Sequence, residues 1–107
     1  MMSKYLFEAN YVGDGIKGLM REGGTKRRDT VVEALKSVGG SLDCFYYTFG
    51  KTDVVGVFDI PDQADAVALS LMINSTGAVN LHLKPLMTAE DLDAATTKKP
   101  SYRAPGQ

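Results

Sequence analysis

Cysteine occurs once in this chain, at Cys44, and histidine once, at His82. A single thiol closes no internal disulfide, and a lone imidazole without a cysteine cluster gives little basis for a metal centre. Net charge is also scarce: 12 Lys and Arg stand against 13 Asp and Glu, a formal charge of -1. No overall field therefore draws the chain to nucleic acid or to a membrane surface. No basic stretch interleaved with aromatics marks a nucleic-acid interface either. No apolar run reaches the length of a membrane span or a secretory leader, so a cytoplasmic protein is the expectation. Nothing in the residues points to a particular cofactor.

What is present suits one globular domain. The 107 residues are 44% hydrophobic and 23% charged, ordinary values for a chain that buries a core, although at this length the margin is thin. Residues 4–11 alternate, with Tyr5, Phe7, Ala9 and Tyr11 on one side and Leu6, Glu8 and Asn10 on the other, which predicts a strand. A short helical turn is expected over 15–22, and Gly23-Gly24 stops it. A longer helix over 25–38 carries Val31, Val32, Leu35 and Val38 at helical spacing and ends at Gly39-Gly40. A second strand over 41–49 sets Leu42, Cys44, Tyr46 and Thr48 against Asp43, Phe45, Tyr47 and Phe49. Residues 50–53 turn, and 54–60 form a β-branched third strand.

Asp62 is the expected N-cap of a helix running to about Ser75, with Ala64, Val67, Ala68, Leu71 and Met72 along one face. A fourth strand covers 79–87. Thr88 and Asp91 have the spacing of a capping box that starts a short acidic helix. The expected organisation is a folded domain over 1–95 and an extended tail over 96–107.

The order strand-helix-strand-strand-helix-strand predicts an α+β, ferredoxin-like βαββαβ fold with a four-stranded antiparallel sheet. Two helices cover one face of such a sheet. The other face is expected to be apolar and aromatic, too greasy for a monomer to leave wet. A second copy of the chain, packed sheet to sheet as a dimeric α+β barrel, is the simplest cover.

Several residues invite a chemical reading, each beside a plainer one. Gly13, Gly15 and Gly18 fit G-x-G-x-x-G after a strand, but the following helix is interrupted and the chain is too short for a doubly wound sheet. A flexible turn is the better account. Lys26, Arg27 and Arg28 open the main helix. They either meet a bound anion or form a solvated face paired with Glu22, Asp29 or Glu33. His82 shares a strand face with Asn80 and Lys84. With Glu8, Asn10 or Asp59 beside it, it would suit a general base. The tyrosines either line a pocket or fill core and interface. Asp53 either touches a ligand or bonds its own turn. Cys44, among Leu42, Phe45 and Tyr46, reads as a buried inert thiol, with a reactive thiol as the alternative.

The stretch Tyr11-Val12-Gly13-Asp14-Gly15-Ile16-Lys17-Gly18-Leu19 resembles the first loop of GYD-domain proteins. So do Arg27-Arg28, Gly39-Gly40-Ser41-Leu42, Phe45-Tyr46 before Phe49-Gly50-Lys51-Thr52-Asp53-Val54, Asp59-Ile60-Pro61-Asp62, Ser75-Thr76-Gly77-Ala78-Val79 and the tail Ser101-Tyr102-Arg103-Ala104-Pro105-Gly106. The element that names that family stands here as Gly50, Thr52 and Asp53, without the tyrosine. The resemblance implies a dimeric α+β barrel and no particular reaction. Two functions are therefore carried forward. One is a homodimer or larger homo-oligomer that binds a small anionic or aromatic molecule, with Arg27, Arg28, Tyr46, Asp53 and His82 as ligand-binding candidates. The other is a non-catalytic oligomerisation module whose tail clasps a neighbour.

Overall fold

The structure, a computed structural model, describes residues 3–48 and 50–107. Among the described residues eight elements succeed one another: β1 (Ser3–Tyr11), α1 (Asp14–Glu22), α2 (Gly24–Lys36), β2 (Ser41–Tyr47), β3 (Val54–Ile60), α3 (Gln63–Ser75), β4 (Val79–Pro85) and α4 (Ala89–Thr96). The strands form one antiparallel sheet in the order β2-β3-β1-β4, the α+β arrangement expected from the sequence. The expected end of the second strand at Phe49 falls outside the described residues.

Period-two alternation in β1 and β3 sets the core. Tyr5, Phe7, Ala9, Tyr11, Val54, Phe58 and Ile60 all point to the helix side and are buried, together with Leu35 of α2 and Ala66 of α3. The rings there run on in a chain. Tyr5 meets Phe58 at 5.8 Å between centroids, Phe58 stacks on Phe7 at 5.4 Å, Phe7 meets Phe45 at 6.0 Å, and Phe45 meets Tyr47 edge-on at 5.2 Å. Each such pair adds about 0.5–1.5 kcal/mol beyond its burial.

The structure corrects two sequence expectations about side-chain direction. The first concerns β2, where strict alternation placed Leu42 with Cys44 and Tyr46. Leu42 instead pairs with Phe58 and Cys44 with Val57, so a bulge falls at Asp43. The extra residue re-aims the rest of the strand. Leu42, Phe45 and Tyr47 face the helices, while Cys44 and Tyr46 face away. The second concerns the open face, expected to be rich in aromatics. Opposite the helices it carries Leu6, Val55, Val57, Cys44 and Tyr46 in a central band, with Lys4, Glu8, Asp59, His82 and Lys84 around it. Tyr46 is the one aromatic on that face among the described residues.

α3 starts as expected, with the Asp62 carboxylate accepting the Ala64 N–H at 3.0 Å. The row it turns to the sheet is Ala66, Leu69 and Ile73. The other apolar row, with Val67, Leu71 and Met72, is left exposed. Asn74 fixes this rotation, because its side chain accepts the Leu81 N–H at 2.7 Å and donates to the Leu81 carbonyl at 3.2 Å. Those Leu81 groups sit on an edge strand, and Asn74 supplies the partners that a further strand would have given. No helix among the described residues is long and apolar enough to cross a membrane.

Candidate functional site

The helices leave a cleft between α2 and α3 over the sheet. It measures about 120 Å³, and Phe7, Val31, Phe45, Leu69 and Leu81 are among the residues that line it. Among the described residues Arg27 is the one charged group in that lining, and Tyr11 lines the same cleft. Both residues also line a more open recess of about 180 Å³ bounded by Gly15, Leu19 and Ala78. Arg27 therefore stands where an apolar pocket meets a wetter one.

Local sequence builds this corner. Gly15 lets α1 start hard against the residue that leads into β4: a Cβ there would meet the Ala78 carbonyl oxygen at 2.0 Å, and the same carbonyl accepts the Val12 N–H at 2.9 Å. Within the glycine motif, Gly15 serves packing and Gly13, at φ 52°, makes the turn into α1. Gly24 opens α2 for a similar reason, since its Cβ would lie 2.8 Å from the Tyr47 ring. The close approach lets the Tyr47 hydroxyl donate to the Gly24 carbonyl at 2.9 Å. Burial and the neighbouring Tyr11 hydroxyl push the Tyr47 phenol up to about 12, against the pull of Arg27 and Arg28. It stays protonated at neutral pH and acts as a hydrogen-bonding group, not a base.

Arg27 is a quarter exposed and lies 3.4 Å from the Glu22 carboxylate. Arg28 lies 3.5 Å from Asp29 on the surface. Arg28, Thr25, Phe45 and Tyr47 line a third, shallower recess of about 320 Å³ at the start of α2. Arginine and tyrosine around an apolar pocket suit an organic anion, because the guanidinium fork matches a carboxylate while rings pack the body.

The remaining candidates lie elsewhere. Tyr46 pairs with Val55 on the open face, across the sheet from Arg27. His82 is also on the open face, opposite Glu8, with Asn10 opposite Asn80 further along. Asp59 pairs with Lys4, four residues from Glu8, or about 13 Å along a strand. It is no neighbour of His82. The Glu8 carboxylate accepts the Thr52 hydroxyl at 3.2 Å. Asp53 takes a part in the backbone: its carboxylate accepts the Tyr11 N–H at 2.9 Å, its own N–H donates to Ala9, and its carbonyl accepts from Thr48. It clips the end of β1 to the turn before β3. Cys44 is half-buried. No group of three His, Cys, Asp or Glu among the described residues is placed to hold a metal.

A family model for the GYD domain matches residues 5–96. The chain belongs to the GYD domain family. No match is found among curated proteins. Among solved structures, the GYD chain is similar to the NE2512 protein of unknown function from Nitrosomonas europaea. Identity is 19%, with 95% of this chain and 98% of that chain covered, at a TM-score of 0.41.

The sequence marks Arg27 and offers the tyrosines as possible pocket lining, but it does not say that Tyr11 shares the cleft with Arg27 or that Tyr47 stands at the start of α2. The available signal is the pair of tyrosines ending β1 and β2. It becomes informative only once the bulge at Asp43 sends Tyr47 to the helix side.

Proposed function

We propose that this GYD domain is a small-molecule-binding protein that works as a homodimer, and that the cleft between α2 and α3 takes a small organic anion. An aromatic or short aliphatic body would fill the pocket, with the anionic head at Arg27. The observation that carries this reading is a single guanidinium in the lining of an otherwise uncharged and largely apolar cleft. An apolar cavity of about 150 Å³ in another protein holds benzene, so about 120 Å³ suits a ring or a short chain. Among the described residues the cleft lining holds one guanidinium and no carboxylate, imidazole or thiol, which favours binding over proton transfer.

Dimerisation is part of the same reading. The open face has an apolar band of Leu6, Val55, Val57 and Cys44 inside a charged margin. An apolar centre within a polar rim is the usual make-up of an interface.

The test is titration of isotope-labelled protein with benzoate and octanoate, and with benzyl alcohol as the uncharged control, monitored by amide and methyl shifts. Shifts concentrated at Val31, Leu69 and Leu81, lost in Arg27→Gln and weak for benzyl alcohol, support it. Shifts elsewhere, or equal binding by Arg27→Gln, overturn it.

The second reading, a non-catalytic assembly module, is favoured by the exposed row of Val67, Leu71 and Met72 on α3. A helix that is apolar on two sides normally lies between two packing partners.

A further inference from the structure

After β4 the chain leaves the body. The Leu86 N–H still donates to the Lys4 carbonyl at 2.9 Å, extending the pairing with β1 by one residue. From there every residue is exposed through to Gln107. α4 buries nothing, and Met87, Leu92 and Tyr102 are 68%, 55% and 80% exposed.

Two global quantities measure how far this segment stands off. The radius of gyration is 17.0 Å, where a compact chain of 107 residues has about 13 Å. The accessible surface is 7629 Å², where a compact monomer of 11.5 kDa has about 5,800 Å². The excess is about 1,800 Å² per chain, the amount one partner contributes to a large obligate dimer interface.

The helix itself needs a surface to lie on. Eight residues are too few for an α-helix to hold its shape in water. Its capping box, with Thr88 accepting the Asp91 N–H at 3.0 Å and Asp91 accepting the Thr88 N–H at 3.1 Å, offsets only about 1 kcal/mol. The missing stabilisation must come from packing, and this chain's own body offers α4 none.

We infer that residues 86–107 form an intermolecular arm that lies on a second copy of this chain, with Met87, Leu92 and Tyr102 as its anchors. Area favours a second copy, because the excess surface is of dimer size. Charge favours it too: the arm carries acids in α4 (Glu90, Asp91, Asp93) and bases in its tail (Lys98, Lys99, Arg103), as a segment meeting a surface of mixed sign would. The body of every copy also presents an uncovered apolar row on α3 for such anchors. In a twofold dimer the exchange is reciprocal, so each contact counts twice. These observations are independent of the cleft and of any ligand.

The test uses the full chain and the variant Met87→Ser/Leu92→Ser/Tyr102→Ser, whose changes all lie on exposed side chains and leave the body's core intact. Sedimentation from nanomolar to micromolar concentration gives the association constant, and hydrogen exchange reports the amides of α4. The expected result is a wild-type oligomer whose α4 protection rises with concentration. The variant should associate at least a hundredfold more weakly and lose α4 protection, while the body's amides keep theirs. Three results each overturn the inference: unchanged association of the variant, α4 protected in a nanomolar monomer (the arm folding on its own body), or α4 unprotected in a wild-type oligomer.

Discussion

The two faces of the sheet are built from the same four strands and the same alternation, yet they differ in what their side chains meet. On the helix side, Tyr5, Phe7, Ala9, Tyr11, Val54, Phe58 and Ile60 are none of them more than 9% exposed, and no charge lies among them. On the open side, Leu6, Val55 and Val57 are half-buried, and charged residues lie close to them in the register. Apolarity alone therefore does not make a core. A continuous ring system without charge does so on one face, while a greasy band inside a charged border gives the other face the composition of a contact surface.

The largest expected effect tests the first half of that contrast. Phe58 touches both Tyr5 and Phe7, so Phe58→Ala removes the hub of the ring chain. It should lower the folding free energy by about 3–5 kcal/mol, read from urea unfolding. Its neighbour Val57, on the open face, should lose about 1 kcal/mol or less as Val57→Ala when measured on dilute monomer. Equal losses at the two sites would erase the distinction between the faces.

The second effect concerns association. Val57→Lys places an ammonium in the centre of the apolar band without touching the core. Monomer stability should change by about 1 kcal/mol or less, whereas self-association should weaken by about a hundredfold or more, because an unpaired charge would have to be buried. Sedimentation equilibrium separates the two. An unchanged association constant would mean that this face is not where copies meet.

How much of this is legible in the sequence depends on whether a feature is set locally. β3 is readable to the residue because Val54, Val55, Val57 and Ile60 declare a strand and Asp53 and Pro61 bound it. The caps at Asp62 and Thr88 are readable because each closes within three residues. The bulge at Asp43 is not, since it exists only in the pairing of β2 with β3. Nor is the rotation of α3. Its two apolar rows are equally greasy in sequence, and the choice between them is made by Asn74 reaching Leu81 on another strand. The site shows the same limit. A cation cluster can be read from Arg27 and Arg28, but a cleft is a relation between α2, α3 and the sheet, and no local pattern encodes it.

A smaller effect probes the corner where the covered face opens to solvent. Tyr47→Phe keeps the ring against Phe45 and Gly24 but removes the bond to the Gly24 carbonyl, which should cost about 1 kcal/mol. Spectroscopic titration gives a sharper readout. With its phenol pushed up to about 12, Tyr47 should ionise well after an ordinary tyrosine near 10.0, and the late step should vanish in Tyr47→Phe. By linkage, the unfolded state ionises first, so this residue lowers stability as pH rises from about 10 towards 12 and has no effect at neutral pH. A titration in which Tyr47→Phe loses no late step relative to wild type would show that the hydroxyl is not sequestered.

The smallest expected effect lies at the rim of the open face, where the Lys4 ammonium donates to Asp43 and, at 3.1 Å, to Asp59. The bond from Lys4 holds the Asp43 carboxyl below its usual 3.8. The bonds to Asp43 and then Asp59 hold Lys4 above 10.5. The signs give a window. Stabilisation from Asp43 is present above about pH 4 and fades as pH falls through the carboxyl's lowered folded value. Stabilisation from Lys4 is present below about pH 10.5 and fades as pH rises through the ammonium's raised folded value. Water and salt reach all three groups, so the effect is small and screened. The difference in melting temperature between wild type and Lys4→Met should therefore be slight, flat between those limits, smaller outside them, and reduced in concentrated salt. If sheets do pair across this face, the same cluster is removed from water in the dimer. The difference should then grow with protein concentration, which ties even this weak rim interaction to the question of what covers the open side.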